Sequence, residues 1–211
     1  MFEIREKPEM VERAMLVSIY FDPSEAEEKQ AMLDELEDLV SNLGIGIVGK
    51  HLVKSRDMHA KFLCGTGKAQ EVKQLAVDCG ADCVVFDNML APSQQREWER
   101  LIDECVIDRE EVILDIFAKR ARTSEGRLQV ALAQYKYLLP RLTGMWKHLE
   151  RQEGAIGTRG PGETQLESDR RHIHRKIAKL EEELKDVRRV RATQRDRREK
   201  NEVPVLSLIH I

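Results

Sequence analysis

Short apolar segments alternate with segments of helical spacing along the first 108 residues of the chain. The continuous apolar run AMLVSIYF at residues 14–21 predicts a buried strand. The next segment has apolar residues three and four positions apart and ends near Gly44, as an amphipathic helix with a glycine stop does. The alternation repeats, with strands predicted at GIGIVGKHLV, DCVVFD and CVID and a second helix predicted to end at Gly80. Repeated strand–helix units predict an α/β fold with a small parallel sheet, right-handed crossovers and covering helices.

The strand pattern stops after residue 108, and helical patterns follow. The segments EEVILDIFAKRA and RLQVALAQYKYLLPRL predict two helices with a break near Thr123–Gly126. A longer helix is predicted over residues 165–200, a length of about 50 Å at about 1.5 Å per residue. Its apolar residues recur at alternating spacings of four and three, the heptad pattern of a coiled-coil seam. The seam residues are Ile173, Ile177, Leu180, Leu184 and Val187.

One helix cannot bury this seam alone, so the seam needs a partner helix. The preceding helix offers an apolar stripe, and we therefore predict a long antiparallel α-helical hairpin packed as a coiled coil. The predicted domains are an α/β subdomain at 1–108 and a helical hairpin subdomain at 109–200, with a Gly-rich loop at 154–163. The partner stripe comprises Leu128, Leu132, Tyr135, Leu138 and Leu142.

Charge is divided unequally along the chain, although the formal net charge is only −3. Residues 1–118 carry 13 Lys and Arg against 25 Asp and Glu, whereas residues 119–211 carry 22 against 13. Residues 170–200 alone carry 13 basic and 6 acidic side chains. A basic half of this kind suits a polyanion such as RNA. The alternative, a solvated coiled-coil surface partly neutralised by residues 181–183, stays open on charge alone.

The composition argues against a helical membrane protein. The chain is 35% charged and only 5% aromatic, and it contains no apolar run of about 18 residues. Its beginning, MFEIREKPEMVER, lacks the apolar core of an export signal. We therefore expect a cytoplasmic protein with no membrane span.

No catalytic or metal-binding arrangement is predicted. The cysteines lack zinc-site spacing, so we expect buried, reduced thiols. His172 and His174 are two positions apart on a predicted helix and do not share a face. Three aspartates lie near predicted strand ends or a helix start, where helix caps and surface carboxylates are the default. These aspartates are Asp87, Asp108 and Asp115, and the cysteines are Cys64, Cys79, Cys83 and Cys105.

The segment FLCGTGKAQ at residues 62–70 is a candidate phosphate loop. A Walker A motif, G-x-x-x-x-G-K-[ST], would need glycine at position 62 and a hydroxyl residue at position 69. The chain has Phe62 and Ala69 there, so the motif fails at both positions. Gly65, Gly67 and Lys68 remain as a candidate anion- or nucleotide-binding turn at a helix N-terminus. A purely structural turn is the alternative.

The segment GAIGTRGPGETQLESDRR at residues 154–171 begins with a Gly-rich loop and continues into the long helix. It is not a nucleotide phosphate loop, because no lysine followed by serine or threonine is present. Pro161 stiffens the loop, and Thr164 with Glu167 forms a candidate capping box. Arg159 stands among glycines, which suits insertion into a crowded anionic cleft of folded RNA. An ordinary flexible hairpin tip is the alternative.

Together with VVFDNMLAPSQQREWER and the helical segments from residue 106 onward, these two stretches resemble the N-terminal half of the HflX GTPases. The resemblance implies an α/β subdomain, a helical hairpin and then a Ras-like G domain. It also implies binding to the large (50S) ribosomal subunit and its RNA, and GTP-dependent dissociation of stalled or idle ribosomes. The carried-over ribosome-binding residues are Gly157, Arg159, Gly160, Pro161, Gly162, Glu163, Arg170 and Arg171.

The end of the chain departs from that family pattern. NEVPVLSL at residues 201–208 resembles entry into the first G-domain strand, but no GTP-binding motif follows. We therefore expect no cofactor and no GTP hydrolysis by this chain alone, whereas GTP and Mg²⁺ are expected for a full-length family member. The closing LSLIHI also matches a translated sequencing adapter, so a gene-fragment end is a second interpretation.

Two other functions stay open from the sequence. The α/β domain is a candidate ATP-binding domain through its GTGK turn. The long seam is a candidate protein-interaction module if it pairs between chains instead of within one. We expect a monomer.

Overall fold

The computed structural model describes residues 11–142 and 163–200. These residues fall into two compact units, the first with residues 11–120 and 140–142 and the second with residues 121–139 and 163–200. The strands are β1 (Arg13–Tyr20), β2 (Gly46–Lys54), β3 (Cys83–Phe86) and β4 (Cys105–Asp108). The helices are α1 (Ala26–Ser41), α2 (Thr66–Cys79), α3 (Pro92–Ile102), α4 (Arg109–Arg120), α5 (Ser124–Leu138) and α6 (Glu163–Lys200).

The first unit is built on a four-stranded sheet in the order β2-β1-β3-β4. Each neighbouring pair of strands is parallel, which confirms the predicted α/β fold with a small parallel sheet. The central strand β1 pairs with β2 on one side and with β3 on the other. The chain therefore extends the sheet first to one side of β1 and then to the other.

Both faces of the sheet are buried, which explains why β1 is apolar at consecutive positions. Met15, Val17 and Ile19 belong to a core cluster that also includes residues of α2 and α3. Ala14 and Leu16 belong to a second cluster that includes residues of α1 and α4. Since successive strand side chains point to opposite faces, a strand covered by helices on both faces must be apolar throughout.

An aromatic group fills the α2–α3 side of the sheet. Trp98 is fully buried and lies edge-on to Phe62, with ring centroids 5.1 Å apart. The Phe86 ring lies on another side of Trp98 at 4.8 Å. Helix α2 ends at Gly80, whose φ of 62° is a left-handed conformation that glycine adopts without steric cost. This matches the predicted glycine stop.

Helix α4 lies in the first unit, although the sequence grouped it with the helical hairpin subdomain. Its Val112 is 1% exposed and belongs to the same core cluster as α1 residues. After α5, a 3-10 turn at Leu139–Arg141 returns to the first unit. Leu142 follows that turn and is also part of the first unit, so it lies outside the helix pair that the apolar stripe predicted.

The second unit consists of α5 packed on α6. Ile173 and Leu184 of the predicted seam are the most buried residues of α6, at 7% and 6% exposure. Lys136 of α5 pairs with Glu181 at 2.7 Å, and Glu125 at the start of α5 pairs with Arg191. The later residue of α5 thus pairs with the earlier residue of α6, and the earlier residue of α5 pairs with the later residue of α6. This is the pattern of two helices that run in opposite directions. Residues 143–162, between the two helices in the chain, lie outside the described residues.

Within the described ranges, no helix is both long and apolar enough to cross a membrane.

Candidate nucleic-acid interface

Two clusters of exposed basic residues lie on α6. In the part of the chain that the structure describes, none of these residues has a carboxylate within ion-pair distance. Uncompensated arginines on one helix repel each other, so an external anion stabilises them. The first cluster comprises Arg170, Arg171, Arg175 and Lys176. The second cluster comprises Arg188, Arg195, Arg197, Arg198 and Lys200.

The middle of α6 is different, because its charges are paired. Lys179 lies 3.7 Å from Glu183, and Lys185 lies 3.4 Å from Glu182. Glu181 accepts a hydrogen bond from Lys136 of α5, which holds the pKa of Glu181 below its usual value. Neutralisation by residues 181–183, expected for a solvated coiled coil, therefore applies to the centre of the helix and not to its two basic clusters.

Two arginines of the first basic cluster line a shallow recess. Arg171 and Arg175 border it together with Ser168 and His174. The Nε atoms of both arginines donate to backbone carbonyl oxygens one turn earlier, at 3.4 Å, which directs the guanidinium groups along the helix. The residues that line the recess are three, four and seven positions apart and therefore share one helix face. This geometry presents two guanidinium charges beside the Ser168 hydroxyl and the His174 imidazole.

Most of the second basic cluster lies beyond the end of the partner helix. Arg191 continues the seam spacing after Val187, but it pairs with Glu125, at the first turn of α5. Residues 192–200 extend about 13 Å further, at about 1.5 Å per residue. Since no helix of the described second unit lies beside them, an apolar seam would be left in water there. The next seam positions carry Gln194 and Arg198 instead.

The ribosome-binding residues implied by the resemblance are only partly described. Gly157, Arg159, Gly160, Pro161 and Gly162 lie outside the described residues. Glu163 is the first residue of α6, and its side chain is not described. Arg170 and Arg171 are exposed on α6 within the first basic cluster. Their role in binding stays a prediction.

The GTGK turn has a carboxylate beside its lysine. Gly65 immediately precedes α2, and a Cβ added at Gly67 would meet open space. Lys68 Nζ lies 2.6 Å from Glu71 Oε2, an exposed pair one turn apart on α2. The positive charge that a phosphate would need is therefore shared with Glu71. Nucleotide binding at this turn also stays a prediction.

Asp87 is buried within an ion network that the sequence did not reveal. It is 6% exposed and accepts hydrogen bonds from Arg109 Nη1 at 2.9 Å and from Ser18 Oγ at 3.2 Å. Lys29 Nζ lies 3.9 Å from the same carboxylate. The expectation of a cap or a surface carboxylate was therefore wrong for Asp87, because α1 and α4 bring cations to it from distant positions. Its charge is balanced, which indicates a structural role.

Asp108 is a helix cap, as expected, and it is also fully buried. Its Oδ1 accepts from the Glu111 backbone N–H at 3.1 Å, at the start of α4. Its Oδ2 accepts from Leu90 N at 3.1 Å and from Arg141 Nη2 at 3.3 Å. No group of three or more metal-ligating side chains occurs among the described residues.

Sequence comparison finds two adjacent matches to family models. Residues 30–118 match the model described as GTP-binding GTPase N-terminal, and residues 120–198 match the GTP-binding GTPase Middle Region. The GTPase HflX of Akkermansia muciniphila is 71% identical over 99% of this chain. The GTPase HflX of Escherichia coli K12 is 46% identical over 94% of it. The chain spans 50% and 46% of these two relatives, or about half of their length.

Solved structures share the fold at low sequence identity. A GTP-binding protein from the archaeon Sulfolobus solfataricus, in complex with GDP, matches 84% of this chain and 46% of its own with a TM-score of 0.53 and 21% identity. A structure of an SsGBP and GDP complex matches 87% of this chain and 46% of its own with a TM-score of 0.57 and 22% identity. With both family models and both relatives in agreement, the chain belongs to the HflX GTPase family and represents its N-terminal region.

Proposed function

We propose that this chain is the ribosome-binding part of an HflX GTPase. In this proposal it binds the large ribosomal subunit through ribosomal RNA. The complete protein then uses GTP and Mg²⁺ in its G domain to dissociate stalled or idle ribosomes. The two relatives, each a GTPase HflX, support the GTPase assignment for the complete protein.

The observation that carries the proposal is the pair of basic clusters on α6. Lys and Arg side chains bind nucleic acid by releasing the counterions that surround the phosphates, so their affinity falls with salt. Their exposed guanidinium groups also suit bidentate binding of phosphate oxygens. A basic surface of this kind is suited to the backbone and shape of folded RNA.

The proposal also includes the helical hairpin. In it, α5 and α6 form an antiparallel coiled coil whose turn carries the Gly-rich loop, with Arg159 at the tip. The opposite directions of the two helices support this arrangement. Glycines allow close approach to crowded RNA, and a rigid helix pair would carry the loop into a deep cleft.

Sedimentation of the chain with purified large subunits, over a series of salt concentrations, tests the proposal. We expect affinity to fall steeply with salt. Arg171→Ala with Arg175→Ala should weaken binding and reduce the slope of log affinity against log salt by about one unit for each phosphate that the variant no longer neutralises. The matched control is Lys54→Ala with Arg56→Ala, which removes two exposed cations at the end of β2.

Absent or salt-insensitive binding would contradict the proposal. Equal losses in the α6 variant and the β2 control would also contradict it, because they would indicate attraction by net charge alone. Arg159→Ala with Arg170→Ala tests the loop separately, and unchanged binding would exclude the tip from the interface.

A further inference from the structure

Two cysteines face each other on neighbouring strands. The register of β3 and β4 places Cys83 directly opposite Cys105, and each is the first residue of its strand. Both lie on the sheet face covered by α1 and α4, where Cys83 is a core residue and Cys105 packs against the cluster. Cys64 and Cys79 lie with the cluster on the opposite face, so the sheet separates them from this pair.

The spacing of this pair is compatible with a disulfide. Adjacent strands lie about 4.8 Å apart, within the range of about 4.4 to 6.8 Å between the Cα atoms of natural disulfides. The Cys105 thiol is close enough to raise the pKa of Cys83. None of the four cysteines is in a disulfide in this structure.

The two thiols differ in access. Cys83 is fully buried, whereas Cys105 lies on β4, the last strand of the sheet order, and is partly exposed. The hydrogen bond to Cys105, burial and the nearby charges of Glu111 and Asp82 raise the pKa of Cys83 well above its usual value. Cys83 is therefore a poor first target for an oxidant, because the thiolate is the reactive form.

We propose that Cys83 and Cys105 form a reversible redox pair, in which hydrogen peroxide oxidises Cys105 and Cys83 then closes a cross-strand disulfide. In the first step the Cys105 sulfur attacks a peroxide oxygen, the O–O bond breaks, and water leaves as the sulfenic acid forms. In the second step the Cys83 sulfur attacks the Cys105 sulfur, the S–O bond breaks, and the Cys83 proton leaves with a second water. Two thiols and one hydrogen peroxide thus become one disulfide and two waters.

The disulfide would be strained, and the strain makes it reducible. Its Cβ atoms need a separation of about 3.5 to 4.5 Å, which is shorter than the spacing of two parallel strands. Strained disulfides have more oxidising potentials and are reduced more easily than relaxed structural ones. A thiol reductant should therefore restore both cysteines.

Peptide mapping of the folded chain after hydrogen peroxide treatment tests the proposal. The treated chain is unfolded and alkylated without reductant, and its mass is measured. We expect two of the four cysteines to be blocked and a linked peptide pair containing Cys83 and Cys105. Dithiothreitol should return all four to the alkylated form. Dilution should not reduce the yield, because the reaction is within one chain.

Matched variants distinguish this pair from general thiol oxidation. Cys105→Ser should abolish the intramolecular link, whereas Cys79→Ser should leave it unchanged. Four alkylated cysteines after treatment, a link to Cys64 or Cys79, or oxidation of Cys105 only to sulfinic acid would each overturn the proposal. The mapping of the unsubstituted chain decides the question even if a variant fails to fold.

Discussion

At the scale of single residues, the Asp108 carboxylate holds three segments of the first unit together. It bonds the loop after β3 through Leu90, the start of α4 through Glu111, and the turn after α5 through Arg141. Arg141 also donates to Gln95 Oε1 and to Leu90 O, both at 2.9 Å. Because the Asp108 side chain is 0% exposed, these donors replace the water that its charge would otherwise need.

Removing the Arg141 side chain should therefore reduce the stability of the fold. We predict that Arg141→Ala lowers the free energy of unfolding by about 3 kcal/mol, the usual cost of leaving one partner of a buried ion pair alone. Urea unfolding followed by tryptophan fluorescence measures it. The control is Arg189→Ala, which removes an exposed pair with Asp186 at 2.9 Å and should change stability by less than about 1 kcal/mol. Equal effects of the two substitutions would refute the buried-anchor interpretation.

At the scale of elements, the seam of α6 changes its residue type near the position where the partner helix α5 begins. The seam is apolar from Ile173 to Val187 and becomes polar from Arg191 onward, close to the first turn of α5. The heptad spacing is the same in both parts, and only the residue type changes. Past the first turn of α5 the seam positions of α6 are exposed, so the periodicity of α6 alone does not bury them.

The burial of the α6 seam predicts that its residues stabilise the pair of helices α5 and α6. Leu184→Ala should destabilise the second unit by about 2 to 3 kcal/mol, because Leu184 is only 6% exposed and its removal leaves a cavity. The loss of helical circular dichroism in urea measures the effect. Val190→Ala is the control, since Val190 is 53% exposed and should cost less than about 0.5 kcal/mol. A Leu184 effect as small as that of Val190 would show that the seam is not packed in solution.

At the scale of the whole molecule, charge and fold divide the chain at nearly the same place. Residues 1–118 carry the acidic excess and contain the whole parallel sheet, whereas residues 119–211 carry the basic excess and contain α5 and α6. A ligand of negative charge is therefore expected to bind the second unit and not the first. The monomeric state stays a prediction, which light scattering can test.

This division predicts how the chain responds to nucleotides. We expect millimolar ATP or GTP to leave the melting temperature unchanged, because Lys68 is paired with Glu71 and the Walker A motif is incomplete. A ligand present at about 100 times its dissociation constant would instead stabilise the fold by about 2.7 kcal/mol. Differential scanning fluorimetry measures the shift. A rise in melting temperature that Lys68→Ala abolishes would favour the nucleotide-binding alternative.

Several features of the fold could be predicted from the sequence because their causes are local. Apolar runs such as residues 14–21 identified the strands, since buried strands need apolar side chains on both faces. The glycine at position 80 identified the end of α2, since few other residues adopt its backbone conformation. The seam positions on α6 and its basic clusters could also be predicted, because both follow from the residue types along a single helix.

Other features were decided only by the tertiary structure. The order β2-β1-β3-β4 and the register that pairs Cys83 with Cys105 depend on which strands meet, and no local pattern encodes that choice. The burial of Asp87 and Asp108 depends on cations more than 20 positions away, at Arg109 and Arg141. The sequence by itself thus determined the elements, the family and the division of charge. The tertiary structure decided which side chains meet, because long-range contacts form only when distant segments pack together.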